Sequence, residues 1–134
     1  MGENVIFMIC SLMEPITIML TALIIWKLPA DYKGIWAYHT VYAEKSPAAW
    51  AAAQNYFGKI GFFSNLAALV LTIIAFVPVL AVERFQVYGS LVCMIITTVQ
   101  IIVLLVDIFI VEGLLKKNFD KDGNPKNSGN IPQE

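Results

Sequence analysis

The chain has 134 residues, of which 58% are apolar and 14% charged, and a formal net charge of −1. The charged share is well below the roughly one quarter usual for soluble domains, and the apolar residues fall in long blocks. This excludes an ordinary soluble domain, leaves nucleic-acid binding no basic surface to rest on, and defines the class as an all-α membrane protein.

A helix needs about 20 predominantly apolar residues to cross the hydrocarbon core. Three blocks meet that length, at about 5–28, 60–82 and 85–114, and together they predict one three-helix transmembrane domain over 1–118. The opening MGENVIF has no basic region and no small-residue cleavage site, so it reads as part of a retained first helix. Glu14 lies near the middle of that helix. Pro15 follows at once and deprives the Ser11 carbonyl of its helical donor. A carboxylate at mid-bilayer is costly, so Glu14 is expected to be neutral or to find a partner among Thr, Asn65 or Gln100 on the facing helices. There it would serve as structural glue or as a ligand or proton site.

Trp26, Lys27 and Pro29 end helix one. The following segment, 32–42, reads as an ordered loop lying on the membrane, with Trp36, Tyr38 and Tyr42 as amphipathic anchors for headgroups or a partner. Ser46 before Pro47 is an N-cap with Pro at the first helical position, which opens an interfacial helix over about 47–57. Its face of Trp50, Ala53 and Phe57 is expected in the headgroup layer, with a bend into helix two at Gly58 and Gly61.

Lipid offers no hydrophobic drive between helices, so packing must come from small residues and interhelical hydrogen bonds. Gly58, Gly61, Asn65, Ala68, Thr72 and Ala75 share one face of helix two, and Ser90, Cys93, Thr97, Gln100, Leu104 and Asp107 share one face of helix three. With Glu14, Thr17 and Thr21 of helix one they predict a polar seam inside the bundle. Leu69, Ile73, Ile101 and Leu105 are left for lipid. The short turn AVERF makes helices two and three antiparallel neighbours, and Glu112 lies close enough to the surface to be solvated. Residues 119–134 are polar and rich in Gly, Asn and Pro, the composition of a disordered tail. Their DKDGN is similar to the start of a calcium loop, but Pro125 takes the glycine position and Ile131 that of the bidentate Glu.

Eight of the nine basic residues (all but Arg84) lie in the first loop, at its edges or in the tail. The N-terminus is therefore expected outside, and the loop and tail at the cytoplasmic, anionic face of the plasma membrane. Cys10 and Cys93 read as buried free thiols. A lone histidine and two distant thiols lack metal-ligand spacing, and no nucleophile set or phosphate cradle can be assembled. The expectation is a protein with no metal, no cofactor and no catalytic centre.

The loop region resembles the SdpI family of small bacterial membrane proteins. That family has Pro in the first helix, then a signature close to PPKxINxxYGYRTxxSMKNxxTWxxA, an aromatic, Gly-Lys and the next helix. The chain follows the spacing without a gap: Pro15, Pro29, Trp36-Ala37-Tyr38-His39-Thr40, Lys45, Trp50, Ala53 and Tyr56-Phe57-Gly58-Lys59. It departs at His39 for Arg, Ala37 for Gly, Lys33 for Asn, Ala43 for Ser and Ser46 for Asn. The resemblance implies immunity to a secreted membrane-active peptide toxin and retention of a cytoplasmic regulator at the membrane. The polar seam and the aromatic loop would then supply the residues: Glu14, Asn65, Gln100 and Asp107 for an intramembrane site, and Trp36, Tyr38, His39, Thr40 and Trp50 for a signalling loop. Two other readings stand beside it: an accessory subunit of a larger membrane complex, and a small proton-coupled transporter using Glu14 as a homo-oligomer.

Overall fold

The computed structural model describes residues 2–28, 31–35 and 37–126. Three helices, α1 (Gly2–Lys27), α2 (Pro47–Ala81) and α3 (Gly89–Asn118), form the fold, with short 3-10 turns at Ala43–Lys45 and Glu83–Tyr88. Each span is long and apolar enough to cross a membrane, as a multi-pass membrane protein requires. Among the described residues no strand forms; Phe119 and Pro125 make a single antiparallel bridge.

The helix expected over 47–57 is not a separate interfacial element. It is the first third of α2, which runs unbroken for 35 residues. The Ser46 hydroxyl accepts from the Ala49 amide at 3.0 Å and Pro47 follows it, so this end is capped as its sequence predicts. At the expected bend α2 stays helical, and Gly58 and Gly61 serve its contact with α1. A Cβ at Gly58 would collide with the Cβ and backbone of Trp26, and one at Gly61 would lie 3.1 Å from the Cβ of Ala22. The missing side chains let two backbones approach, the usual role of small residues between membrane helices. At about 1.5 Å per residue α2 is about 52 Å long against a hydrocarbon core of about 30 Å. The excess carries Trp50, Ala53 and Phe57 into an interior formed with the loop, not into a headgroup layer, and all three are buried.

At the opposite end Gly89 begins α3 with the Asn4 side chain where its Cβ would be, and Asn4 Nδ2 donates to the Gln86 carbonyl at 3.0 Å. Gly89 thus takes the place expected of Ser90, which is exposed. Much of the small-residue pattern holds on α2 and α3: Gly58, Gly61, Asn65, Ala68, Thr72, Gln100 and Asp107 are buried, Ala75 is half-buried, and Ile73, Ile101 and Leu105 are exposed.

Replacing Gly58 by Ala is expected to lower stability by about 1–3 kcal/mol through overpacking against Trp26. Thermal unfolding in detergent checks it, with Gly113→Ala as the reference, because a Cβ at Gly113 meets nothing within 4 Å.

Candidate functional site

Two clusters gather the polar groups, one inside the bundle and one under the loop. The first is organised by Pro15. Because Pro15 has no N–H, the Ser11 carbonyl lacks its donor, and Gln100 Nε2 of α3 supplies it at 2.9 Å. The same nitrogen donates to Thr72 Oγ1 of α2 at 2.9 Å, and Thr72 donates back to the Ala68 carbonyl at 2.7 Å. Ser11 Oγ donates to the Phe7 carbonyl at 2.9 Å and lies 3.3 Å from Cys93 Sγ. One glutamine therefore ties all three helices together at the break in α1. Its Oε1 is buried with no hydrogen-bond partner among the described residues.

Glu14 does not join this cluster. The face of α1 that enters the bundle carries Asn4, Ser11, Pro15, Ala22 and Ile25, while Glu14 is half-buried beside it and Thr17 and Thr21 are exposed. The expected partners are taken elsewhere. Gln100 serves Ser11 and Thr72, Asn65 Nδ2 donates to the Gly61 carbonyl at 2.8 Å, and Asp107 Oδ2 accepts from Ser64 Oγ. Asn65 and Asp107 are buried as the seam requires, and the Ser64 bond joins Asp107 of α3 to α2. Cys10 is exposed and Cys93 half-buried, so the thiol expected to be inside at Cys10 faces outward. Between α2 and α3 a cleft of about 260 Å³ is lined by Ala68, Leu71, Thr72, Ile96, Val99 and Gln100 among others.

The second cluster is a cap built on the protruding end of α2. The Gln54 side chain, almost wholly buried, pairs with the Tyr38 backbone in both directions: Tyr38 N donates to Oε1 at 2.7 Å and Nε2 donates to Tyr38 O at 2.8 Å. The Tyr38 ring stacks on Phe57 at 4.8 Å, and its hydroxyl donates to Glu112 Oε1 of α3 at 3.1 Å. Burial, then the neighbouring Glu112 carboxylate, pushes the Tyr38 phenol well above its ordinary range, so it remains a donor. Glu112, expected to be solvated, is thus a ligand of the loop. Trp50 is buried with the rings of Tyr32 and His39 edge-on to it at 5.9 and 5.0 Å. Thr40 Oγ1 accepts from the Ala43 amide at 3.2 Å and closes the turn leading to the 3-10 segment. Trp36 lies outside the described residues.

His39 faces two acceptors: Nδ1 lies 2.8 Å from Glu44 Oε1 and Nε2 lies 2.8 Å from the Gly34 carbonyl. Neutral imidazole has one N–H, whereas imidazolium donates to both. The Glu44 bond, followed by that to Gly34, raises the His39 value above its ordinary 6.5. The stabilisation from this pair is therefore complete below the ordinary value and is lost as pH rises through the raised one. Lys33, in the turn closed by the Gly34 N–H on the Asp31 carbonyl at 2.7 Å, holds φ +60.

The segment after α3, expected to be without fixed structure, folds back on the loop as far as residue 126; residues 127–134 lie outside the described residues. Tyr42 Oη donates to the carbonyls of Phe119 and Asp120 at 2.7 and 2.9 Å, and Ser46 Oγ donates to the Gly123 carbonyl. The Asn124 and Asp122 amides donate to Asp120 Oδ1, both at 2.9 Å, and hold that carboxyl below its ordinary range. Glycine is required at 123, where φ is +83 and a Cβ would press on Lys45 and Ser46 at 2.9 Å. The sequence pattern assigns no contact to Gln54, Ser64 or Gly123, and it leaves Glu112 to solvent. Only Gln54 had a signal, lying one turn from both Trp50 and Gly58 on the buried face of α2. Compared with known proteins, the chain matches no family model, no curated relative and no solved structure.

Two measurements test these clusters. Gln100→Leu is expected to cost about 1 kcal/mol of stability, and less in a Pro15→Ala background, where the backbone N–H restored at position 15 reclaims the Ser11 carbonyl. Equal costs in the two backgrounds would contradict the assignment. The His39 ring, titrated by NMR, is expected to have its midpoint above 6.5 and to fall back toward it in Glu44→Gln.

Proposed function

We propose that this is a plasma-membrane immunity protein of the SdpI type, which protects its cell from a secreted membrane-active peptide and reports occupancy to a soluble cytoplasmic partner. The observation that carries the reading is that the segment bearing the family signature is a built cap and not a connector. Tyr38 is held to α2 by Gln54 and to α3 by Glu112. A change in the spacing of α2 and α3 therefore reaches the loop directly.

Two departures from the family pattern fall at positions whose geometry is compatible with the family residue. Where the family carries Arg, His39 stands between a carboxylate and a carbonyl and, as imidazolium, supplies a planar cation with two donors. Where the family carries Asn, Lys33 adopts the left-handed backbone that Asn enters more readily. The seam is closed by its own hydrogen bonds, so the receiving surface for a peptide side chain is the cleft between α2 and α3, apolar on its walls and polar at Thr72 and Gln100. A side chain entering there would part the two helices and loosen Tyr38. The lysine distribution puts the cap and the folded tail on the cytoplasmic side, within reach of a regulator.

The reading is tested by challenging a toxin-sensitive Gram-positive strain with the Sdp-type peptide, with and without this protein. Expression is expected to restore growth, and Gln54→Leu or His39→Ala to return survival toward that of unprotected cells. Absence of protection with the protein confirmed in the membrane rejects immunity to that toxin.

A further inference from the structure

We propose that the protein pairs with a second copy of itself along the face of α1 that carries Cys10, Glu14, Thr17 and Thr21, the two Glu14 carboxyls hydrogen-bonded to each other across a two-fold axis. These residues recur at steps of four, three and four, the spacing of a left-handed pair of helices. Their face lies about a quarter turn from the one through which Ser11, Pro15 and Ala22 enter the bundle. Cys10, Thr17 and Thr21 are exposed on it, and Glu14 is half-buried.

Glu14 lies midway between Gly2 and Lys27, so a bilayer centred on this span would have Glu14 near its hydrocarbon centre. Among the described residues no group donates to it, and the only lysine on α1 is at its far end. An unpartnered carboxyl at this depth is expensive, and membrane proteins almost always meet the cost by pairing the group. Thr17 and Thr21 have spent their hydroxyl protons on the carbonyls of Met13 and Thr17, at 2.7 and 2.8 Å, so their oxygens remain as acceptors only.

The chemistry selects the occupant. A carboxyl group donates through its O–H and accepts through its C=O, so it is complementary to itself. Two of them facing across a two-fold axis exchange two hydrogen bonds and leave no polar atom bare to lipid. A two-fold axis along the membrane normal places both Glu14 residues at the same depth, as an isologous interface between identically inserted copies requires. This inference does not depend on the immunity reading.

Cys10 is a native reporter on the same face. The full chain in lipid vesicles is oxidised with copper phenanthroline, and the disulfide-linked dimer is measured for the wild type, Cys10→Ser, Glu14→Gln and Glu14→Leu. Ile9→Cys in the Cys10→Ser background, at an exposed neighbouring position, measures random collision. Fast cross-linking through Cys10 is expected, lost in Cys10→Ser, retained in Glu14→Gln because a carboxamide also donates and accepts, and reduced about tenfold in Glu14→Leu. Glu14 makes no hydrogen bond or ion pair among the described residues, so Glu14→Leu should fold, which its helical circular dichroism verifies. The proposal is overturned if Cys10 links no faster than Ile9→Cys, if Glu14→Leu links as fast as the wild type, or if subunit counting in vesicles finds single copies. Cross-linking in native membranes to a different polypeptide instead of a second copy overturns it equally.

Discussion

Hydrocarbon offers no water to a bare backbone group, and the bundle is tied together at a place in α1 where its own sequence creates such a group. Pro15 frees the Ser11 carbonyl in the middle of α1, and Gln100 of α3 reaches across to satisfy it while also binding Thr72 of α2. A proline that would weaken an isolated helix thereby becomes the point at which three helices are held in register. The unpaired Gln100 Oε1 is the remainder of this arrangement, because an amide that donates twice in one direction has an acceptor left over.

A second constraint acts at the loop end. α2 is longer than a bilayer core requires, and its excess is a platform that must be covered. Trp50, Gln54 and Phe57 on that platform receive the loop, and the chain after α3 closes over it through Tyr42 and Ser46. Glu112 receives the Tyr38 hydroxyl, so the cap is fastened to α3 as well as to α2. Between the two clusters, Ser64 and Asp107 make a further tie between the same two helices. The intramembrane cluster and the cap are thus connected through α2 and α3, whereas α1 contributes the freed Ser11 carbonyl at its middle and the close approach of Ala22 and Trp26 to the glycines of α2 toward its C-terminal end.

The polar groups that the bundle does not absorb lie on its outside, and their placement separates two roles that the sequence pattern alone would merge. Asn65, Thr72, Gln100 and Asp107 face inward and are used in packing. Glu14, Thr17 and Thr21 share the polar character but belong to the flank of α1, where the two threonine hydroxyls bond to carbonyls of their own helix and Glu14 meets no donor among the described residues.

The sequence by itself determined the class, the three spans, the capped start of α2 at Ser46 and the small-residue face that runs from Gly58 to Thr72. Each of these follows from local composition, periodicity or a cap, which need no knowledge of neighbours. It also marked the Ser11 carbonyl as an orphan and the loop as a place of specific contacts. Tertiary structure decided the rest. Whether Gly58 and Gly61 bend a helix or admit another one depends on where Trp26 and Ala22 lie. Which side of α1 enters the bundle is a difference of about a quarter turn, too small for a stripe of three polar residues to settle. The pairing of Gln54 with Tyr38, and of Glu112 with the same tyrosine, joins residues far apart in the chain through orientation rather than spacing. Orientation of this kind exists only once the helices have packed, because the donors that α1 lost and the acceptors the loop offers are brought within reach by nothing else.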